Sequence, residues 1–106
     1  MRKPSQRLSD SLTKDNLWLY ILSLLSKKQM YPYEIRKEIK KVFDFEPGNV
    51  TAYFVLHRLE NSGYAKSGKK IRKGGPDRKY YKITEKGRQE LKKGKAFLRK
   101  FIKEMI

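Results

Sequence analysis

The sequence predicts a mainly α domain that carries one small β-hairpin. Three observations lead there. Apolar residues recur at three- and four-residue spacing through successive segments between Leu17 and Leu59. Past Gly63 the period shortens toward two, and Gly74-Gly75-Pro76 separates two stretches of strand-like pattern. A last helical segment then carries an apolar stripe with no later segment to cover it.

Composition narrows the classes of partner. At 106 residues the chain holds one domain with a small core. Its 27 Lys and Arg against 11 Asp and Glu give a formal charge of +16, with a pI near 10.1. A domain so basic seeks polyanions: DNA, RNA or an acidic membrane surface. The membrane is the weakest of these, because no run reaches the roughly 18 apolar residues of a span. The best run, Leu17 to Leu25, is about half that length and is interrupted by Ser23. Mean hydropathy of -0.84 leaves much of the chain solvated. The absence of cysteine excludes a disulfide framework, a thiolate zinc site and a thiol nucleophile. No apolar core follows the basic residues near Met1, so no secretory signal is expected and the cytoplasm is the expected compartment.

In chain order, residues 1–12 read as a basic N-terminal arm, polar and solvated, with Pro4 near its start. Thr13 is the expected cap of the next helix, with Asp15 in its first turn. Leu17, Tyr20, Ile21, Leu24 and Leu25 form a stripe that Trp18 and Leu22 widen. A stripe this wide predicts two burial partners, this domain's own core and a second copy of the chain. Lys27-Lys28-Gln29 breaks the pattern, and Pro32 opens a second helix at the position where its missing N–H costs nothing. Ile35, Ile39, Val42 and Phe43 line that helix, with Arg36, Lys37, Lys40 and Lys41 outside. Asp44 to Pro47 is a turn, since the residue before a proline leaves the helical region.

Gly48 to Gly63 frames a third helix, Gly48 as N-cap and Gly63 as the left-handed residue past its end. Ala52, Val55, Leu56 and Leu59 make its apolar face. Val50, Tyr53, Phe54, His57 and Asn61 lie opposite, a face with two aromatics and no acid where a surface helix would mix Lys with Glu. In so basic a chain this reads as a helix presented to DNA. The competing reading is a half-buried core helix whose aromatics pack on neighbours.

Tyr64 to Arg72 reads as a strand interrupted by Gly68, Lys73 to Asp77 as a loop, and Lys79 to Thr84 as a second strand with Tyr81 and Ile83 on one face. Thr84 caps a long last helix with Glu85 in its first turn. Leu91, Leu98, Phe101, Ile102 and Met105 form its stripe. Gly87 and Gly94 weaken it by about 1 kcal/mol each relative to Ala unless a close contact uses them. An uncovered stripe of this length implies another chain.

This order is that of a winged helix-turn-helix plus a long C-terminal dimerisation helix: a basic arm over 1–12, a DNA-binding domain over 13–84 and a dimerisation helix over 85–106. The sequence also resembles the PadR-type transcriptional regulators. Tyr33-Glu34-Ile35 is similar to the family's Gly-Tyr-Glu-Ile element, with Pro32 in place of the glycine. Thr51-Ala52-Tyr53, Leu56 to Glu60 and Gly63 resemble its recognition-helix signature, although Gly48-Asn49-Val50 stands where Ser-Pro-Gly is frequent. Gly74 to Gly87 matches the wing signature nearly residue for residue. The resemblance implies a dimeric DNA-binding regulator of the short, single C-terminal helix branch, in many cases ligand-responsive.

On this reading the third helix enters the major groove with its N-terminal end foremost. Asn49 is placed to meet an adenine edge, and Val50 and Thr51 a thymine methyl or a phosphate. The resemblance makes Tyr53 a phosphate contact. Phe54 belongs to the same face, while His57 and Arg58 farther along meet the backbone. With no arginine early in the helix, no bidentate guanine contact is expected and electrostatics carries a large share. The wing supplies it through Lys70, Arg72, Lys73, Arg78 and Lys79. Leu17, Trp18 and Ile21 from the first stripe, with Leu91, Leu98, Phe101, Ile102 and Met105 from the last, are the expected dimer interface. For a small-molecule effector the available aromatics are Trp18, Tyr20, Phe97 and Phe101, with plain dimer core as the competing reading.

No cofactor, metal or catalytic residue is expected. His57 is the only histidine, without a second base or ligand cluster, and Gly74-Gly75 sits in a hairpin rather than a phosphate loop. The leading expectation is a dimeric repressor on a pseudo-palindromic operator. The rival is an architectural chromatin protein that binds DNA with little sequence preference; an RNA-binding component is a third reading.

Overall fold

The computed structural model describes residues 2–71, 74–75 and 78–105, and of Lys69 and Ile71 the backbone alone. Helix α1, Pro4–Thr13, occupies most of the stretch expected to be a polar, solvated arm. Pro4 lies in its first turn, and the Gln6 side chain accepts from the Lys3 amide at 3.0 Å. None of its residues is buried; Leu8 and Leu12 form a short exposed apolar stripe. The start signal and the stripe are local, and they make the arm a helix although it buries none of its own residues.

Thr13 does not cap the next helix. It closes α1, donating its hydroxyl to the Ser9 carbonyl at 2.7 Å. A single 3-10 turn, Lys14–Asn16, then leads into α2, Leu17–Leu25, with Asn16 as N-cap.

Helix α2 is the centre of the core. It packs against α3 (Pro32–Phe43), α4 (Asn49–Asn61) and α5 (Glu85–Glu104). Leu17, Ile21, Leu22, Leu24 and Leu25 are all buried inside this one chain. That corrects the placing of Leu17 and Ile21 in a dimer interface, and Leu91 on α5 is likewise buried within the protomer. Spacing marks a face as buried without saying what buries it, and here the neighbouring helices of the same chain do so.

Tyr31 caps α3 in extended conformation with Pro32 behind it, and Asp44 ends the helix at a left-handed φ of 60°. Across the turn, the Arg36 side chain donates to the Pro47 carbonyl at 3.3 Å, fixing the approach to α4. Gly48 is the extended N-cap and accepts from the Ala52 amide at 2.9 Å. Gly63, at φ 83°, ends the helix with its amide on the Glu60 carbonyl, while Tyr64 donates to Leu59.

Strands β1 (Ala65–Ile71) and β2 (Arg78–Ile83) form an antiparallel hairpin, with Ala65 opposite Ile83 and Ser67 opposite Tyr81. The register slips between Ser67 and Lys70, where Gly68 interrupts the pattern. Tyr81 also exchanges backbone hydrogen bonds with Met30, at 2.8 and 3.1 Å, and this short bridge fastens the hairpin base to the α2–α3 connection. The alternation then places Tyr81 and Ile83 in the core.

Thr84 caps α5, its hydroxyl oxygen accepting from the Gly87 amide at 3.0 Å and its hydroxyl donating to the Gly63 carbonyl at 2.6 Å. The two glycines of this helix are contact points. A Cβ on Gly87 would stand 2.1 Å from the Tyr64 carbonyl oxygen; one on Gly94 would stand 3.0 Å from the side chains of Leu19 and Trp18. The first half of α5 therefore lies tight on the domain. Its second half carries Phe97, Phe101, Ile102 and Met105 into solvent.

Candidate nucleic-acid interface

Ala52, Leu56 and Leu59 are buried, and their burial fixes which side of α4 faces out. Asn49, Val50, Thr51, Tyr53, Phe54, His57 and Arg58 are all exposed. Tyr53 is 47% exposed and Phe54 61%, values at odds with aromatics packed on neighbours. The Arg58 guanidinium lies 5.7 Å over the Phe54 ring, so it is drawn along the helix rather than held out freely.

Helix α4 and the hairpin are joined by one acid. Glu60 accepts from the Ser67 amide at 3.1 Å and from the Ser67 hydroxyl, and the Lys79 ammonium stands 4.0 Å away. The Ser67 hydroxyl is the main cause of a carboxyl held below its ordinary range. Partial burial opposes that shift, while Lys79, the Ser67 amide and His57 assist it. Glu60 was not among the expected site residues, although it is the only acid in α4 and stands where the helix meets the strand. Its partner lies seven residues on in another element, which periodicity cannot reveal.

The wing cations are less free than the sequence implied. Lys79 is shared between Glu60 and the Tyr81 ring, at 5.5 Å from the ring centre. Arg78 lies 4.6 Å over Tyr31, whose ring also meets Tyr80 edge-on at 5.4 Å. Lys70 is exposed and pairs in register with Lys79. Arg72 and Lys73 lie outside the described residues. Behind the wing, Lys86 donates to the Ser62 carbonyl at 2.8 Å, placing a cation at the C-terminal end of α4.

On the other side, Trp18 is half-buried against Gly94, and its indole N–H donates to Asn16 at 3.3 Å. Trp18 borders an open cleft of about 390 Å³ whose walls include Leu12, Leu19, Gly94, Phe97 and Leu98. Phe97 and Phe101 meet edge-on at 4.6 Å. Tyr20 is not part of that cleft. It packs edge-on against Phe43 and Phe45, and its hydroxyl donates to the Leu12 carbonyl at 2.6 Å, tying α1 to the core. Among the described residues no cluster of acids and histidine could hold a metal ion, and no helix is long and apolar enough to cross a membrane.

A helix-turn-helix with an acid-free exposed face on its second helix, latched to a two-stranded wing, defines a winged helix-turn-helix protein. The chain belongs to the transcriptional regulator PadR-like family, whose sequence model matches residues 21–93. Members of that family are transcription regulators rather than enzymes. The chain is 35% identical over 86 residues to an uncharacterised protein of Lysinibacillus sphaericus, covering 79% of this chain and 72% of that one. It is similar to the crystal structure of a PadR family transcription regulator from Clostridium difficile, with 35% identity, a TM-score of 0.73, and coverage of 83% of this chain and 91% of that one. It is also similar to Bacillus subtilis PadR solved in complex with operator DNA, at 28% identity and a TM-score of 0.65, covering 73% of this chain and 45% of that one.

Proposed function

We propose that the protein is a cytoplasmic, dimeric repressor that binds a pseudo-palindromic operator through α4 and the β1–β2 wing. One observation carries the reading: the outward face of α4, from Asn49 to His57, is exposed and free of acids, while Glu60 fixes its angle to a basic hairpin. Asn49, Val50 and Thr51 lead into the major groove, and Tyr53, Phe54, His57 and Arg58 follow along it. Lys70 and Arg78 face phosphates. The likeness to Bacillus subtilis PadR, solved in complex with operator DNA, supports DNA as the partner. The exposed Phe101, Ile102 and Met105, with Trp18 and Leu98 beside them, supply the surface for a second copy.

A second reading concerns control. The cleft between Trp18 and Phe97 is apolar and of a size for a small aromatic molecule, which favours a ligand-responsive regulator.

Binding to genomic fragments and to random duplex DNA, compared at two salt concentrations, tests the function. A repressor prefers a subset of genomic fragments at both salts. Equal affinity for all fragments would replace it with the architectural reading.

A further inference from the structure

Helix α5 has a third face that neither the core nor the exposed aromatics use. Arg88, Lys92, Lys95 and Arg99 recur there at spacings of four, three and four, a row rising about 16 Å along the axis. All four are exposed. Among the described residues none has an acid partner: Glu90 pairs with Lys93 at 3.5 Å, and Glu85 accepts from Gln89 at 3.4 Å. Arg88 reaches the Ser26 carbonyl at 3.4 Å, and from there the basic surface continues to Lys27 and Lys82.

One shallow groove runs along this row from Arg88 to Arg99, a second meets it at Ser26 and Arg88 and leads to Lys27 and Lys82, and no residue of α4 lines either. Lys82 sits at the base of the hairpin, four residues from Arg78 at the tip side, or about 13 Å along the strand. Around the helix the row is turned well away from Phe97 and Phe101, and pairing of two copies through Phe101 and Ile102 abuts it at Arg99 while leaving Arg88 and Lys92 open. A helix face that is merely solvated mixes in glutamates, since opposite charges four apart support a helix and like charges weaken it. Here like charges stand four apart twice over, and a polyanion laid along them relieves the repulsion.

We propose that this face holds a second segment of duplex DNA, so that one molecule engages one segment at α4 and the wing and another along α5. The length of the row faces about five phosphates of one strand. Phosphate contacts carry no sequence information, so the second segment is held whatever its sequence. For the first segment the proposal rests on the function proposed above, and the two fail differently in the same experiment.

The full chain is mixed with a bead-bound genomic fragment and a labelled second fragment, and retained label is measured. Two triple variants are compared with the unaltered protein: Lys92→Glu/Lys95→Glu/Arg99→Glu, and the milder replacement of the same three residues by Gln. The unaltered protein retains label. Charge reversal lowers retention about tenfold or more, the Gln variant falls between, and binding of a single duplex of about two helical turns stays within about twofold. Three results would overturn the proposal: no retention by the unaltered protein, retention untouched by both variants, or a row that binds anionic phosphatidylglycerol vesicles but not DNA. Failure of the α4 reading shows separately, as single-duplex binding that survives His57→Ala/Arg78→Ala.

Discussion

Ser67 on β1 donates both its amide and its hydroxyl to one carboxylate oxygen of Glu60 on α4. This pair sets the angle between α4 and the wing, because it joins them in the last turn of the helix. Glu60→Ala should lower stability by about 1–2 kcal/mol, reduced from a fully buried charged bond by the partial exposure of the site. It should also weaken all duplexes alike, since no base-reading residue changes. Denaturant melts and binding titrations on the same variant check both effects.

Acid sensitivity follows from the same pair. The Glu60 carboxyl is held below its ordinary value of 4.5 by the Ser67 hydroxyl first, with Lys79 and the Ser67 amide assisting. A carboxyl depressed by folding stabilises the native state fully above the unfolded value, and that contribution fades as pH falls through the folded one. The difference in Tm between wild type and Glu60→Gln should therefore be steady near neutrality and shrink below about pH 4.5. A difference that grows on acidification would contradict the assignment.

Gly87 and Gly94 should respond differently to alanine. At Gly87 the new Cβ meets the Tyr64 carbonyl at 2.1 Å and Ile83 at 2.8 Å, and backbone cannot move aside cheaply. Gly87→Ala should cost about 2–3 kcal/mol. At Gly94 the neighbours are the ends of the Leu19 and Trp18 side chains at 3.0 Å, and alanine brings a helix-propensity gain of about 1 kcal/mol. Gly94→Ala should stay within about 1 kcal/mol of wild type, as thermal unfolding would register.

Core and interface separate along the same lines. Ile21→Ala removes a fully buried side chain and should cost about 2–5 kcal/mol. Phe101→Asp or Ile102→Asp touches exposed positions on α5 and should leave the protomer folded while shifting sedimentation from dimer to monomer. A dimer that persists in both would move the interface elsewhere.

Most of the winged helix was legible because its boundaries are written locally. Pro32, Gly48, Gly63 and Thr84 each start or stop an element through their own backbone or side-chain chemistry, and each does so here. The alternation of Tyr81 and Ile83 likewise named its buried face. What failed was what depends on distant partners. Periodicity gives Leu17 and Ile21 a buried face without its neighbour, which is the protomer's own core rather than a second copy. The role of Glu60 comes from Ser67 across a turn, and that of Gly94 from Trp18 packed against it, neither of which periodicity carries. Helix α1 is a local exception: Pro4 marks its start, but a two-leucine stripe in a polar segment gives little further signal.

The central claim, that α4 reads sequence while the wing grips backbone, is tested most directly by selecting bound fragments from genomic DNA. Wild type, Asn49→Ala, Thr51→Ala and Arg78→Ala are compared. The expected result is a pair of two-fold related half-sites about 34 Å apart or a multiple of that, with a salt slope near -4 to -5 per subunit. The α4 variants should change which sequences win, and Arg78→Ala should weaken all of them while taking about one unit from the slope. No enrichment over random DNA, or one unchanged ranking from every variant, would contradict the account.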